Sequence, residues 1–120
     1  MNFALVFIGG GLGSIVRYTI GLLFQRTHLQ LPVATLCSNV LACLIFAVTL
    51  KLFSERIPES SQMRLLILTG ICGGLSTFST FSYETFALIK QDQLMWAVLN
   101  SIVSVVLCVG VFMAFAPKIN

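Results

Sequence analysis

Charge is what this chain has least of. In 120 residues there are seven Lys and Arg and four Asp and Glu, together 9% of the sequence, against 58% hydrophobic residues. The mean hydropathy is +1.00. A water-soluble domain of this size needs far more charge on its surface, so the composition is that of an integral membrane protein. There is one histidine, His28, and the cysteines Cys37, Cys43, Cys72 and Cys108 show no Cys-x-x-Cys spacing. A metal site built on these side chains is therefore not indicated, and the cysteines read as small apolar fillers at helix contacts. No basic patch alternates with exposed aromatics, which removes nucleic acid as a partner. No paired carboxylates and no Ser–His arrangement suggest an enzyme.

What is present is long apolar runs. Four of them reach the ~20 residues needed to cross ~30 Å of hydrocarbon, at about Phe3 to Phe24, Leu31 to Phe53, Arg64 to Ile89 and Leu94 to Ala116. The connections between them are too short for a soluble domain, so residues 1–120 form a single four-helix transmembrane unit, all-α. The first run lacks a basic start and is interrupted by Arg17, so it reads as a retained helix and not a signal peptide. Four spans put both termini on one side. Lys51, Arg56, Arg64 and Lys118 fall on that first side, and Arg26 and Lys90 on the second. So small a bias fits either a modest cytoplasmic preference for the first side or insertion both ways up. Oppositely inserted copies can pair about a two-fold axis in the membrane plane, and a chain with so little interior gains a pathway by dimerising.

Rising ~1.5 Å per residue, Arg17, Asn39, Glu84 and Asn100 all fall roughly 8–12 Å below the second surface. A shared layer permits an Arg17–Glu84 pair, or each side chain snorkels to the interface from its own helix. Asn39 and Asn100 fit either a polar pathway or the joining of helices. On the fourth span Asn100, Ser104 and Cys108 form one stripe.

The segment from Gly70 to Glu84, GICGGLSTFSTFSYE, places glycines, hydroxyls and two phenylalanines in the middle of a span. In hydrocarbon, irregular backbone survives only where it is buried in protein or lines a cavity. A break near Gly73 to Ser76 leaves their carbonyls without helical partners, and two copies about an in-plane axis bring four such oxygens together, enough to hold a bare cation such as Na⁺. The alternative is that the glycines only let helices approach closely. Beyond the break, Thr77, Thr80 and Glu84 share a face. Phe78 and Phe81 share another, and their ring edges carry partial positive charge. Ring edges and hydroxyl donors suit a small, hard anion.

These residues resemble the Fluc/CrcB family of small fluoride channels. Gly9-Gly10-Gly11-Leu12-Gly13-Ser14 followed by Arg17-Tyr18 is similar to the family's glycine-rich start, and Ala34-Thr35-Leu36 with Asn39 to its Gly-Thr-Leu-x-x-Asn. Gly70 to Ser82 is close to Gly-x-Cys-Gly-Gly-x-Thr-Thr-Phe-Ser-Thr-Phe-Ser. Ala34, Ala42-Cys43, Ser76 and Cys108 depart from the usual residues. The resemblance implies a broken third helix and an antiparallel, dual-topology dimer in a bacterial inner membrane, most simply a homodimer, with a heterodimer also open. It implies passive fluoride efflux through two pores, in contact with membrane lipid, and a structural Na⁺ on the two-fold axis. Gly73 and Ser76 then supply backbone ligands to Na⁺. Phe78 and Phe81 line the pores, Asn39 contacts fluoride, and Thr80 with Ser104 adds hydroxyls, with Asn100 on the same path. The competing class is a proton-coupled four-helix exporter, which relies on a carboxylate in the first helix where this chain has Arg17. A scaffold subunit, its polar stripes only binding helices together, is the third.

Overall fold

A computed structural model describes residues 1–25, 32–53 and 62–117. Helix α1 covers Asn2–Phe24 and α2 covers Val33–Phe53. The third span is in two pieces. The first, α3 (residues 62–75), runs from a short turn at Gln62–Arg64 through a π-helical stretch, Leu65–Cys72, to a last α-turn at Gly73–Leu75. Ser76 and Thr77 then become extended, with ψ of 153° and 112°, and α4 restarts at Phe78–Lys90. Helix α5 covers Leu94–Phe115. All four expected spans are present, and the third is broken as anticipated. Leu31, Arg26, His28, Arg56 and Lys118 lie outside the described residues.

The packing is that of a chain whose solvent is lipid. Phe3, Phe7 and Met113 are each more than four-fifths exposed, whereas the core is made of Ala42, Ala47, Cys72, Leu75, Leu88 and Ala97. Lipid tails are as apolar as leucine, so helices associate through close contact of small residues and through hydrogen bonds. Two buried hydroxyls are satisfied within their own helices: Ser38 Oγ donates to Ala34 O at 2.9 Å and Thr49 Oγ1 to Ile45 O at 2.6 Å.

Helices α1 and α3 touch backbone to backbone. A Cβ on Gly9 would lie 2.4 Å from Leu66 O, one on Gly13 2.2 Å from Ile71 O, and one on Gly74 2.3 Å from Gly10 O. For these glycines, close approach is the explanation. Gly73 differs: nothing lies within 4 Å of where its Cβ would be.

The α4–α5 connection is tight because Asp92 adopts φ 58°, a left-handed conformation that aspartate tolerates better than most residues. Gln93 N donates to Leu88 O at 2.9 Å and Asp92 N to Ile89 O at 3.1 Å, closing α4 with a Schellman-type cap. At the other surface Arg64 Nη2 donates to Phe53 O, the last carbonyl of α2, at 3.3 Å. These two ties hold α4 against α5 and α3 against α2, and so fix the height of the broken turn between them.

Candidate functional site: the broken turn and its two cavities

At Ser76–Thr77 the helical hydrogen-bond ladder is rerouted atom by atom. The amide that would close a turn on Gly73 O is that of Thr77, and it donates to Asn39 Oδ1 on α2 at 2.8 Å instead. The amide that would close on Ser76 O is that of Thr80, and it donates to the Thr77 hydroxyl at 3.2 Å, an N-cap for α4. Cys72 O accepts from both Ser76 N at 3.0 Å and Ser76 Oγ at 2.9 Å. Gly74 O accepts from Arg17 Nε at 3.2 Å, with Ser14 Oγ at 3.5 Å. Gly73 and Ser76, the two residues expected to offer carbonyls, are therefore the ones whose helical donors have been drawn away. Both are exposed on the surface of the single chain.

Two cavities flank the break. One of about 400 Å³ lies toward the second side and takes in Ser14, Arg17, Thr35, Ser38, Thr77, Thr80 and Glu84. The other, about 180 Å³, lies between α2, α3 and α5, and Gly73 and Ser76 stand on its wall with Cys43, Cys72, Phe46 and Phe112.

None of the four residues expected at a common depth bonds another of them. Arg17 is engaged with Gly74 O. Glu84 Oε1 accepts from Thr35 Oγ1 at 2.7 Å, and its buried Oε2 has no hydrogen-bond partner. Arg17 and Glu84 thus share a cavity without forming the ion pair that their common depth permits; the backbone break offers the guanidinium a carbonyl acceptor within its reach. Asn100, buried, donates from Nδ2 to Thr85 Oγ1 at 3.0 Å and ties α5 to α4. Ser104 is buried one turn farther along α5. Neither α5 residue lines the two cavities.

A backbone N–H can only donate, so Asn39 must turn its oxygen to Thr77 and direct Nδ2, a double donor, elsewhere. Thr77 Oγ1 donates to Thr80 Oγ1 at 3.0 Å, which leaves the Thr80 hydrogen free. Two donors are thereby oriented by their acceptors, and Thr80 lines the larger cavity. Phe78 is 80% exposed and Phe81 half-buried, their ring centroids 5.8 Å apart and tilted by 35°. This pair lies on the outside of the single chain.

The family described as CrcB-like protein, Camphor Resistance (CrcB), matches residues 4–116, and so takes in all four spans and the broken turn. The chain belongs to the CrcB family. It is similar to the fluoride-specific ion channel FluC of Klebsiella pneumoniae (strain 342), 40% identical over 99 residues that cover 82% of this chain and 78% of that one. It is also similar to the fluoride-specific ion channel FluC 1 of Yersinia pseudotuberculosis serotype I (strain IP32953), 47% identical over 92 residues, 77% of this chain and 72% of the relative. The CrcB family is one of ion channels and not of enzymes. With its four spans, this member is a multi-pass inner-membrane protein.

Two residues of the site escaped the reading of the sequence: Thr35 as the partner of Glu84, and Thr77 as the cap that frees Ser76. Thr35 and Asn39 are four apart, so one face of α2 serves both Glu84 and Thr77. That i, i+4 spacing of polar residues in an apolar span was the available signal.

Proposed function

We propose that this chain forms a fluoride channel, through which the anion leaves the cytoplasm passively down its gradient. The observation that carries it is the broken turn, where Asn39 and Thr77 take the backbone donors and leave hydrogen-bond donors on Asn39 and Thr80 unspent. The names of the relatives direct the proposal to fluoride. Fluoride is small and strongly hydrated, so a path for it must offer close donors in place of water. The Asn39 amide, the Thr80 and Ser104 hydroxyls and the electropositive edges of Phe78 and Phe81 have that chemistry. Arg17, in the cavity toward the second side, favours anions at that mouth.

The functional unit proposed is an antiparallel homodimer of oppositely inserted copies with two pores. The exposed positions of Phe78, Gly73 and Ser76 support it, because a second copy would turn an outer face into a lined path. The donor set at Gly73 and Ser76 fits a hard cation: two neutral carbonyl oxygens whose helical amides are engaged elsewhere, on an open face. These residues would hold a Na⁺ shared between copies, whose role is to neutralise the converging dipoles and fix the partners' register.

A proton-coupled exporter has less support. The first helix offers Arg17, already bonded to Gly74 O, and the acid in the membrane is Glu84, bonded to Thr35 on a different span. The deciding test is fluoride-electrode efflux from liposomes containing the purified protein, with chloride measured in parallel. Rapid fluoride release without chloride release and without a pH gradient is expected. Release no faster than from empty vesicles, or equal release of both halides, overturns the proposal.

A further inference from the structure

The larger cavity holds two opposite charges that the structure keeps from neutralising each other. Of the residues lining it, only Arg17 and Glu84 are charged. Arg17, on α1, donates Nε to Gly74 O at 3.2 Å, and its Nη donors make no hydrogen bond among the described residues. Glu84, on α4, is drawn the other way, to α2, where the buried Thr35 donates to Oε1 at 2.7 Å. Its Oε2 is buried without a partner. A tie between α4 and α2 needs only an acceptor oxygen, which a neutral amide supplies as well as a carboxylate. The negative charge is therefore not explained by the bond that holds it.

A cleft with one sign of charge and low-dielectric walls concentrates counter-ions, whereas conduction requires that a bound ion also leave. Arg17 alone, with its Nη donors unspent, would hold whichever anion is most abundant, and chloride sheds its water more easily than fluoride. We propose that Glu84 is a specificity-determining residue of this cavity: its charge, pinned by Thr35, offsets Arg17 and keeps chloride from lodging there and blocking the path. The inference rests on the channel reading above. Pinning matters because a carboxylate paired directly with Arg17 would occupy the guanidinium and close it to fluoride as well.

The test is fluoride-electrode efflux from liposomes at rising chloride, with gluconate holding the ionic strength, read as the chloride concentration that halves each protein's own efflux. A unit charge within about 10 Å, at an effective dielectric constant near 20, changes anion occupancy by tenfold or more. Glu84→Gln, which keeps the acceptor for Thr35 and drops the charge, should therefore be half-blocked at least tenfold below the parent. Glu84→Asp should stay within about threefold of the parent, and adding Arg17→Gln to Glu84→Gln should abolish the extra block. Helical circular dichroism and elution volume check the fold, with Glu84→Ala as a second neutral form. Line broadening of the chloride NMR signal by the purified chains in detergent reads the same occupancy without flux: strong in Glu84→Gln, weak in the parent and in the double variant. Equal half-blocking or equal broadening in parent and Glu84→Gln overturns the proposal. So does block in Glu84→Asp as strong as in Glu84→Gln, or block that survives the loss of Arg17. A parent without fluoride efflux in the absence of chloride defeats the channel reading instead, and the NMR contrast then decides the counter-charge by itself.

Discussion

Asn39→Asp separates the two roles of Asn39. The Asn39 oxygen accepts the Thr77 amide at 2.8 Å, and aspartate keeps an oxygen in that place, so the broken turn retains its cap. What changes is the other end of the side chain, where a double donor becomes a negatively charged acceptor. An anion passing at about 4 Å from that charge meets a repulsion of about 4 kcal/mol at an effective dielectric constant near 20. Each 1.36 kcal/mol on a barrier is tenfold in rate, so fluoride throughput should fall by roughly a thousandfold. Asn39→Ala provides the contrast, because it removes the acceptor of the part-buried Thr77 N–H, at a cost of about 1–3 kcal/mol in stability. The assay is electrode-monitored efflux from liposomes with few proteins per vesicle, beside thermal unfolding in detergent. Asn39→Asp should melt near the parent and conduct poorly, and Asn39→Ala should melt lower. Throughput within tenfold of the parent in Asn39→Asp refutes the placement of Asn39 beside the anion path and returns it to helix capping alone.

Phe81→Ile removes a ring edge while keeping an apolar side chain of moderate size; fluoride efflux should fall at least tenfold with the elution volume unchanged, and unaltered efflux would take the ring out of the path. Gly74→Ala places a methyl 2.3 Å from Gly10 O and should destabilise the chain by about 1–3 kcal/mol or more, whereas Gly73→Ala meets nothing within 4 Å and should unfold at the parent temperature. An equal loss in both would mean that α1 and α3 do not cross at these glycines. Thr35→Val deletes the donor to Glu84 Oε1 and should cost about 1–3 kcal/mol, restored in part by Thr35→Ser; thermal unfolding of the three proteins decides it.

The architecture was legible because hydrocarbon imposes one strong rule. Four runs of sufficient length and low charge read as helices, and the glycine- and hydroxyl-rich interruption in the third read as a break that is buried or lines a cavity, with close helix approach as the alternative. Depth was legible only approximately, since helical rise converts residue number to height; the contacts set Asn39 against Thr77 and Glu84 against Thr35, one turn apart on α2. Azimuth was not. Height alone cannot say that Arg17 faces Gly74 O and not Glu84, because that depends on how α1 is turned about its axis. The turn is set by Gly9 and Gly13 meeting the α3 backbone.

The glycines needed the structure to be told apart. Gly73 and Gly74 are adjacent in sequence and chemically identical, yet one has no room for a methyl and the other has nothing near it. Their carbonyls differ in the same way: that of Gly74 is held by Arg17, while Gly73 has lost its helical donor to Asn39. A glycine with free space, whose carbonyl has lost its α-helical donor, is not explained by packing within its own chain. Substituting Gly73 therefore asks a question about a second copy or a bound ion, and substituting Gly74 asks only about α1. If Gly73→Ala preserved the fold of the single chain yet left fluoride efflux and dimer yield untouched, the open carbonyl face would have no function, and the broken turn would be a consequence of sequence without a use.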